Sequence, residues 1–271
     1  MNLQDSPVTE GDFLEVVRIL ADIVTMEGTL DDKRVKLMGE IAHLIGTDSW
    51  VWGFAPLLKP GEQPVYLFQN LGGFDEERMS RLLMAVEHTD TGAMTAPLAE
   101  ALIQTGAHVT RLRQHIVSDQ RFETSPAEPY WRAADIGPLI LSARPLEGRG
   151  NTIIGFYRPV SAPPFTEREA RIAHIILTGV AWLHEASTPN PVVHDIPKLP
   201  PRCRLILNQL VHGRVRKEIA RDLGISLHTV NDYIKQIFRH FDVHSQMQLI
   251  SRLKNGDGHD VKQLPQAGPQ P

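Results

Sequence analysis

One cysteine, Cys203, occurs in 271 residues. That count excludes an intrachain disulfide and a cysteine-based zinc site. Long apolar runs are also missing. The longest, Ile172 to Leu183, is interrupted by His174 and is too short to span a bilayer, so a buried helix is expected there and no membrane partner. The opening MNLQDSPVTEGD has neither a basic nor an apolar leader segment, which points to a cytoplasmic protein. A Gly-Lys-Ser/Thr phosphate loop, a Gly-x-Ser-x-Gly turn and a His-Glu-x-x-His pair are all absent. The chain is therefore read as a non-enzyme, with no catalytic residue and no cofactor. His108, His115, His174 and His184 lack acidic or thiol partners at ligand spacing, so no metal site is expected.

Basic residues are scarce in the first 198 positions, where 17 Lys+Arg face 26 Asp+Glu. From Leu199 to Lys254 the balance reverses to 10 against 4. The net charge of −4 thus hides an acidic body joined to a basic module. A basic module attracts phosphate and makes binding salt-sensitive.

Within that module, SLHTVNDYIKQIFRHF (Ser226 to Phe241) carries two stripes. Val230, Ile234, Ile237 and Phe241 recur at steps of four, three and four, which places them on one helix face that wants a core. His228, Asn231, Lys235 and Arg239 form the opposite, polar face. Ser226 can cap this helix, and Gly224 suits the left-handed turn that ends the helix before it, Arg216 to Leu223. With small Ala220 at the helix crossing, the pattern is that of a helix-turn-helix.

The stretch from Leu199 to about Leu253 resembles the LuxR-type (GerE-type) helix-turn-helix module of bacterial transcription regulators. The matching marks are Leu199 with Pro201-Arg202, Gly213, Lys217-Glu218-Ile219-Ala220, Leu223-Gly224-Ile225-Ser226, Thr229-Val230 and Val243. Departures from the family pattern are Cys203, Asn231 and Tyr233. The resemblance implies double-stranded DNA as partner, with base edges facing Asn231, Asp232 and Lys235, whose chemistry suits adenine, cytosine and guanine respectively. Asp232 can equally orient Lys235 from one turn away. Arg216, Lys217, His228, Thr229 and Arg239 are expected at phosphates, although Arg239 also reads as a plain solvent-exposed charge. The resemblance further implies homodimerisation through the last helix, by Met247, Ile250 and Leu253, and a palindromic site.

The front of the chain reads as two helices, Asp12 to Thr25 with Phe13, Val16, Val17, Leu20 and Val24 on one side, and Asp31 to Ile45. Strands follow at Ser49 to Pro56 and Pro64 to Gln69, joined through Lys59-Pro60-Gly61-Glu62. Then come helices over Glu76 to Glu87, Pro97 to Gln104 and Ser125 to Ala134, with a strand at His108 to Arg113. Strands at Pro138 to Arg144 and Thr152 to Arg158 precede a long helix from Thr166 to about Glu185. This order predicts an α+β domain, an antiparallel sheet with helices on one face, followed by an all-α four-helix domain. The front domain resembles GAF-like or PAS-like sensor domains in element order and in the Pro163 to Glu169 segment. Expected boundaries are 1–185 for a sensing or dimerisation domain, 186–198 for a Pro-rich linker, 199–254 for the DNA-binding domain and 255–271 for a disordered tail.

Neither paired acids after an opening strand, as in a receiver domain, nor the aromatic and Asp-Pro pattern of acyl-homoserine-lactone domains is present. Trp52, Tyr66, Phe68, His108, Tyr130 and Trp131 are the candidates for a pocket that takes an unknown small molecule, and plain core packing is the competing reading. Cys203 reads as a small buried side chain. The functional expectation is a transcription regulator whose front domain senses a ligand or protein partner. The alternative is a non-sensing dimeric factor whose front domain only assembles.

Overall fold

The computed structural model describes residues 7–56, 66–186, 199–211 and 213–255. The Lys59 to Glu62 connection, nearly all of the Pro-rich linker and the tail beyond 255 lie outside them.

Helices α1 (Glu10–Thr25) and α2 (Leu30–Leu44) each begin with a capping box, Thr9 with Asp12 and Thr29 with Asp32. In both, a threonine hydroxyl accepts an orphan first-turn amide while the aspartate accepts the cap's own N–H. The five strands are β1 (Ser49–Pro56), β2 (Leu67–Gly72), β3 (Val109–Leu112), β4 (Leu139–Leu146) and β5 (Gly150–Tyr157). They form one sheet in the order β2-β1-β5-β4-β3, and every described pairing is antiparallel. Between β2 and β3 lie α3 (Glu76–Glu87) and α4 (Thr89–Thr105); α5 (Arg113–Ile116), α6 (Asp119–Glu123) and α7 (Glu128–Ala133) bridge β3 to β4. After β5 come α8 (Glu167–Gly179) and α9 (Ala181–Glu185).

Both faces of the sheet are covered, which corrects the expectation of helices on one face. Alternation along the strands explains it. Trp50, Trp52, Ile140, Ile154 and Phe156 point to one side and pack with Val16, Ile19, Ile23, Leu37, Met38, Ile41, Ile172 and Ile176 of α1, α2 and α8. Val51, Leu139 and Tyr157 point to the other, toward Met79, Leu82 and Leu83 of α3 and Trp131 of α7. Leu98 and Leu102 of α4 continue that second layer with Val109 and Ala143.

Three local expectations change. In α1 the buried apolar residues are Val16, Ile19 and Ile23; of the expected face Val16 is buried, whereas Phe13, Val17 and Val24 are 50%, 63% and 62% exposed. α4 starts at Thr89 and carries Pro97 within it, so the proline that reads as a helix start is interior. The last long helix is broken at Val180, which leaves the helical region at φ −104°, ψ 40°.

The C-terminal domain is helical: α10 (Pro201–Val211), α11 (Arg216–Asp222), α12 (Leu227–His240) and α13 (Gln246–Asn255). Its core joins Cys203, Ile206, Leu207 and Leu210 of α10 to Ile219, Val230, Ile234, Ile237 and Leu249. Helix α10 also lies against β2 and α3, where Leu205 enters the cluster of Leu82 and Leu83 and Arg204 pairs with Glu87. Among the described residues no helix is long and apolar enough to cross a membrane.

Candidate DNA-binding surface and apolar cavity

Helix α12 is held by its apolar stripe. Val230, Ile234 and Ile237 are buried, and Ser226 caps the helix by accepting the Thr229 N–H at 3.0 Å. Gly224 takes φ +64° in the turn between α11 and α12, a backbone state in which an L side chain is strained. Burial of one stripe leaves the other outward. His228, Lys235 and Arg239 are exposed, as are Arg216 and Lys217 of α11, while Thr229, Asn231 and Asp232 are half-buried.

The polar stripe is internally paired. Arg216 Nη1 donates to Asn231 Oδ1 at 2.9 Å, and Lys235 Nζ donates to Asp232 Oδ1 at 2.9 Å. His228 Nε2 stands 3.4 Å from Asp232 Oδ2. The Lys235 ammonium holds the Asp232 carboxyl below its ordinary range. Pairs this exposed contribute little to stability and exchange readily for new partners. The spacing of this cationic, amide-bearing face is set by the helix and its buried stripe. Cys203 is buried at the back of the module and its thiol is pushed up to about 11 by burial, so it remains protonated and inert.

On α13, Leu249 faces the module core, Met247 is 81% exposed and Ile250 is half-buried. The side chain of Leu253 lies outside the described ones.

The second feature is a cavity of about 280 Å³ between the sheet and α4 to α7. Its floor is Val51, Leu139, Leu141, Ala143, Ile153 and Tyr157, and its other walls include Met94, Leu98, Leu102, Ile116, Val117 and Phe122. The Tyr157 phenol lies over Gly155, where a Cβ would stand 2.1 Å from the hydroxyl oxygen; only glycine lets that ring fold back along its own strand. Burial, and then nearby Tyr66, push the Tyr157 phenol well up. Tyr66, hydrogen-bonded to Thr95, is likewise raised by burial. Trp131 Nε1 donates to Thr91 Oγ1 at 3.2 Å, and that hydroxyl donates to the Ala85 carbonyl at 2.6 Å. Both tyrosines are neutral at physiological pH, and the indole N–H is already satisfied.

Of the six pocket candidates, Tyr66 and Trp131 line this cavity. Trp52 and His108 do not. Alternation turns Trp52 to the opposite face, where its ring lies 4.6 Å from His184, and His108 bonds Ser142 and Thr178 on that same face. Tyr130 is 37% exposed and stacks 5.4 Å from His88. Phe68 belongs to β2, with its side chain outside the described ones. Arg113, Tyr157 and Leu98 are cavity residues that sequence reasoning passed over. Period-two alternation through PLILSAR, which puts Leu139, Leu141 and Ala143 on one face, is the signal that could have located the floor.

Comparison with known proteins agrees with the module's geometry. Residues 197–253 match the family model described as bacterial regulatory proteins, luxR family (GerE), so this part of the chain is a LuxR-type helix-turn-helix domain. Among solved structures, one of Escherichia coli SdiA is 17% identical, covering 90% of this chain and 98% of that one, with a TM-score of 0.39. A second, SdiA in complex with octanoyl-rac-glycerol, is 18% identical, covering 93% and 98%, with a TM-score of 0.42. No curated protein matches the chain.

Proposed function

We propose that this chain is a cytoplasmic, homodimeric transcription regulator in which residues 1–185 sense a small molecule and control a DNA-binding domain at 199–254. The observation that carries the DNA-binding part is the outward polar face of α12 in a LuxR-type domain, with Asn231, Asp232 and Lys235 at base edges and Arg216, Lys217, His228, Thr229 and Arg239 at phosphates. The cavity favours sensing over mere assembly, because a domain that only dimerises has no need of an apolar void of this size.

Helix α3 supplies the link. Val86 lines the cavity, and the next residue, Glu87, pairs with Arg204 of α10. Burial raises the Glu87 carboxyl against the pull of Arg204, so this contact holds a charge that is costly to keep from water. A ligand that packs better against one position of α3 shifts the population of α10 arrangements. Dimerisation is supported by Met247 and Ile250 of α13, together with the exposed stripe of Phe13, Val17 and Val24 on α1.

The test is selection of bound duplexes from a random DNA pool with the full-length protein, repeated for two variants. Lys235→Ala is expected to lose about 1–3 kcal/mol on the preferred site and to relax the base choice at one position. Lys217→Ala should weaken preferred and random DNA alike and lower the salt slope by about one. Equal losses on both DNAs for Lys235→Ala would remove it from base reading, and no enrichment of any sequence would sink the regulator proposal.

A further inference from the structure

The cavity carries one charged side chain among its described lining residues, Arg113. Leu112 pairs with Ile140 at the end of β3, so Arg113 opens α5 beside Leu139, at one end of the sheet floor. Its guanidinium stacks 4.8 Å over Phe122, and Nη2 reaches Asp119, a carboxylate 69% exposed. The other terminal nitrogen, Nη1, is buried and has no hydrogen-bond partner among the described residues. A cationic N–H in an apolar wall is costly to leave unmade. Water is a weaker remedy, because a buried water needs two to four polar neighbours and the side chains of Ile116, Val117 and Phe122, which line the cavity with Arg113, offer none.

We infer that the cavity takes a small apolar molecule bearing a single carboxylate, whose head group is bound by Arg113 Nη1 and whose body lies along Leu141, Ala143 and Ile153 toward Asn151. This rests on reading the cavity as the sensory site. The volume of about 280 Å³ holds on the order of ten non-hydrogen atoms at roughly 30 Å³ each. A carboxylate is favoured over a neutral carbonyl for a physical reason. The Asp119 partner is screened by water, so inside the cavity the guanidinium charge is only partly neutralised. Charge-assisted hydrogen bonds are also roughly twice as strong as neutral ones.

The test is calorimetric titration of the full-length protein with decanoate and with decanamide, both below their aggregation limits. Decanoate is expected to bind at least about tenfold more tightly than the amide. Arg113→Met should abolish that preference while leaving the amide within about threefold, and Arg113→Lys should keep part of it. Asp119→Asn, at an exposed position, removes the competing carboxylate and should tighten decanoate without affecting the amide, which keeps the proposal testable if Arg113→Met fails to fold. Ala143→Phe, which fills the floor, should lose both. Equal binding of the two molecules with no effect of Arg113→Met would overturn the head-group assignment and leave the cavity a sensory site for neutral ligands. Binding of neither by the wild-type protein, or binding of both by Ala143→Phe, would overturn the proposal outright, whatever the DNA selection shows.

Discussion

Acidification from pH 7.5 to pH 5 is expected to destabilise the front domain by about 4 kcal/mol, through His108 and His184 alone. The two belong to a cluster between β3, β4, β5 and the α8–α9 pair, in which His184 is buried and His108 and His174 are half-buried. His108 bonds Ser142 Oγ at 2.6 Å and Thr178 Oγ1 at 2.8 Å, and His174 meets Thr110 Oγ1 at 3.0 Å. His184 bonds Thr152 Oγ1 at 2.6 Å and the Leu177 carbonyl at 3.0 Å. The charged groups that act on the cluster are Arg144 and Arg34 at His184, Arg144 at His108, and Arg111 and Arg171 at His174; each opposes a further positive charge. Burial first, and then the other histidines and Arg144, push His108 down to about 2. Burial also lowers His184 to about 3 and depresses His174.

The sign follows from proton counts. Below about pH 6.5 the unfolded histidines bind protons and the folded ones do not, so the unfolded state gains. Full stability is present above about 6.5 and is lost as pH falls toward the folded values, about 2 kcal/mol per histidine by pH 5. Asp12, which Arg168 holds below its ordinary range, stays ionised over this window and does not contribute. Urea midpoints at pH 7.5, 6 and 5 measure the loss. In His184→Gln, which keeps hydrogen bonds available to Thr152 and Leu177, the loss should shrink by about 2 kcal/mol. Flat midpoints in the wild-type protein would mean that these imidazoles are free to protonate in the folded state.

How much of this was legible in the residues depends on how local the determining physics is. The DNA-binding domain is specified by short-range rules: a 4-3-4 apolar stripe, a serine cap, and Gly224 where φ must be positive. Those rules hold without knowledge of the rest of the fold. Helix α1 shows where they fail. It carries two apolar stripes, Val16-Ile19-Ile23 and Phe13-Val17-Leu20-Val24, and either satisfies helical periodicity. Packing against α2 and α8 buried the first; the face expected from the sequence mixed the two, taking Val16 from the first with Phe13, Val17, Leu20 and Val24 of the second, and of these only Val16 is buried and Leu20 half-buried. The cavity was hidden for a different reason. Aromatic residues drew attention as pocket formers, and Tyr66 and Trp131 do line the cavity; Trp52 fills the opposite face, and the floor that leaves the void is mostly small and aliphatic. A void is a shortage of side-chain volume among elements distant in sequence, and no single residue encodes it. Arg113 was legible only as the end of a strand, because its unmade hydrogen bond is a property of its surroundings.

The dependence between the two domains should run unequally, and Val230→Asp exposes it. Val230 is completely buried among Ile219, Ile234 and Leu210, so an aspartate there is an unpaired charge in an apolar core. The expected cost is at least about 4 kcal/mol, comparable to the whole stability of a domain of this size, roughly 3–9 kcal/mol at 0.05–0.15 kcal/mol per residue. Val230→Ala, which removes two methyl groups and adds no charge, should cost about 2 kcal/mol and keep the fold. The aspartate variant is therefore expected to lose DNA binding and the amide protection of α10 to α13 in hydrogen exchange. The front domain has its own core on both faces of the sheet, built from α1, α2 and α8 on one side and α3, α4 and α7 on the other. What it loses is Leu205 against Leu82 and Leu83, the Arg204 partner of Glu87, and the cover over Phe54 and Leu146. Its protection should drop modestly and persist, with the strands slowest to exchange. Simultaneous loss of protection in α12 and in β1 would show that the two cores form one cooperative unit, in which a ligand-driven shift of α3 could not move α10 without unfolding it. Separate loss is the behaviour that a cavity on one side of α3 and a DNA-binding domain on the other require.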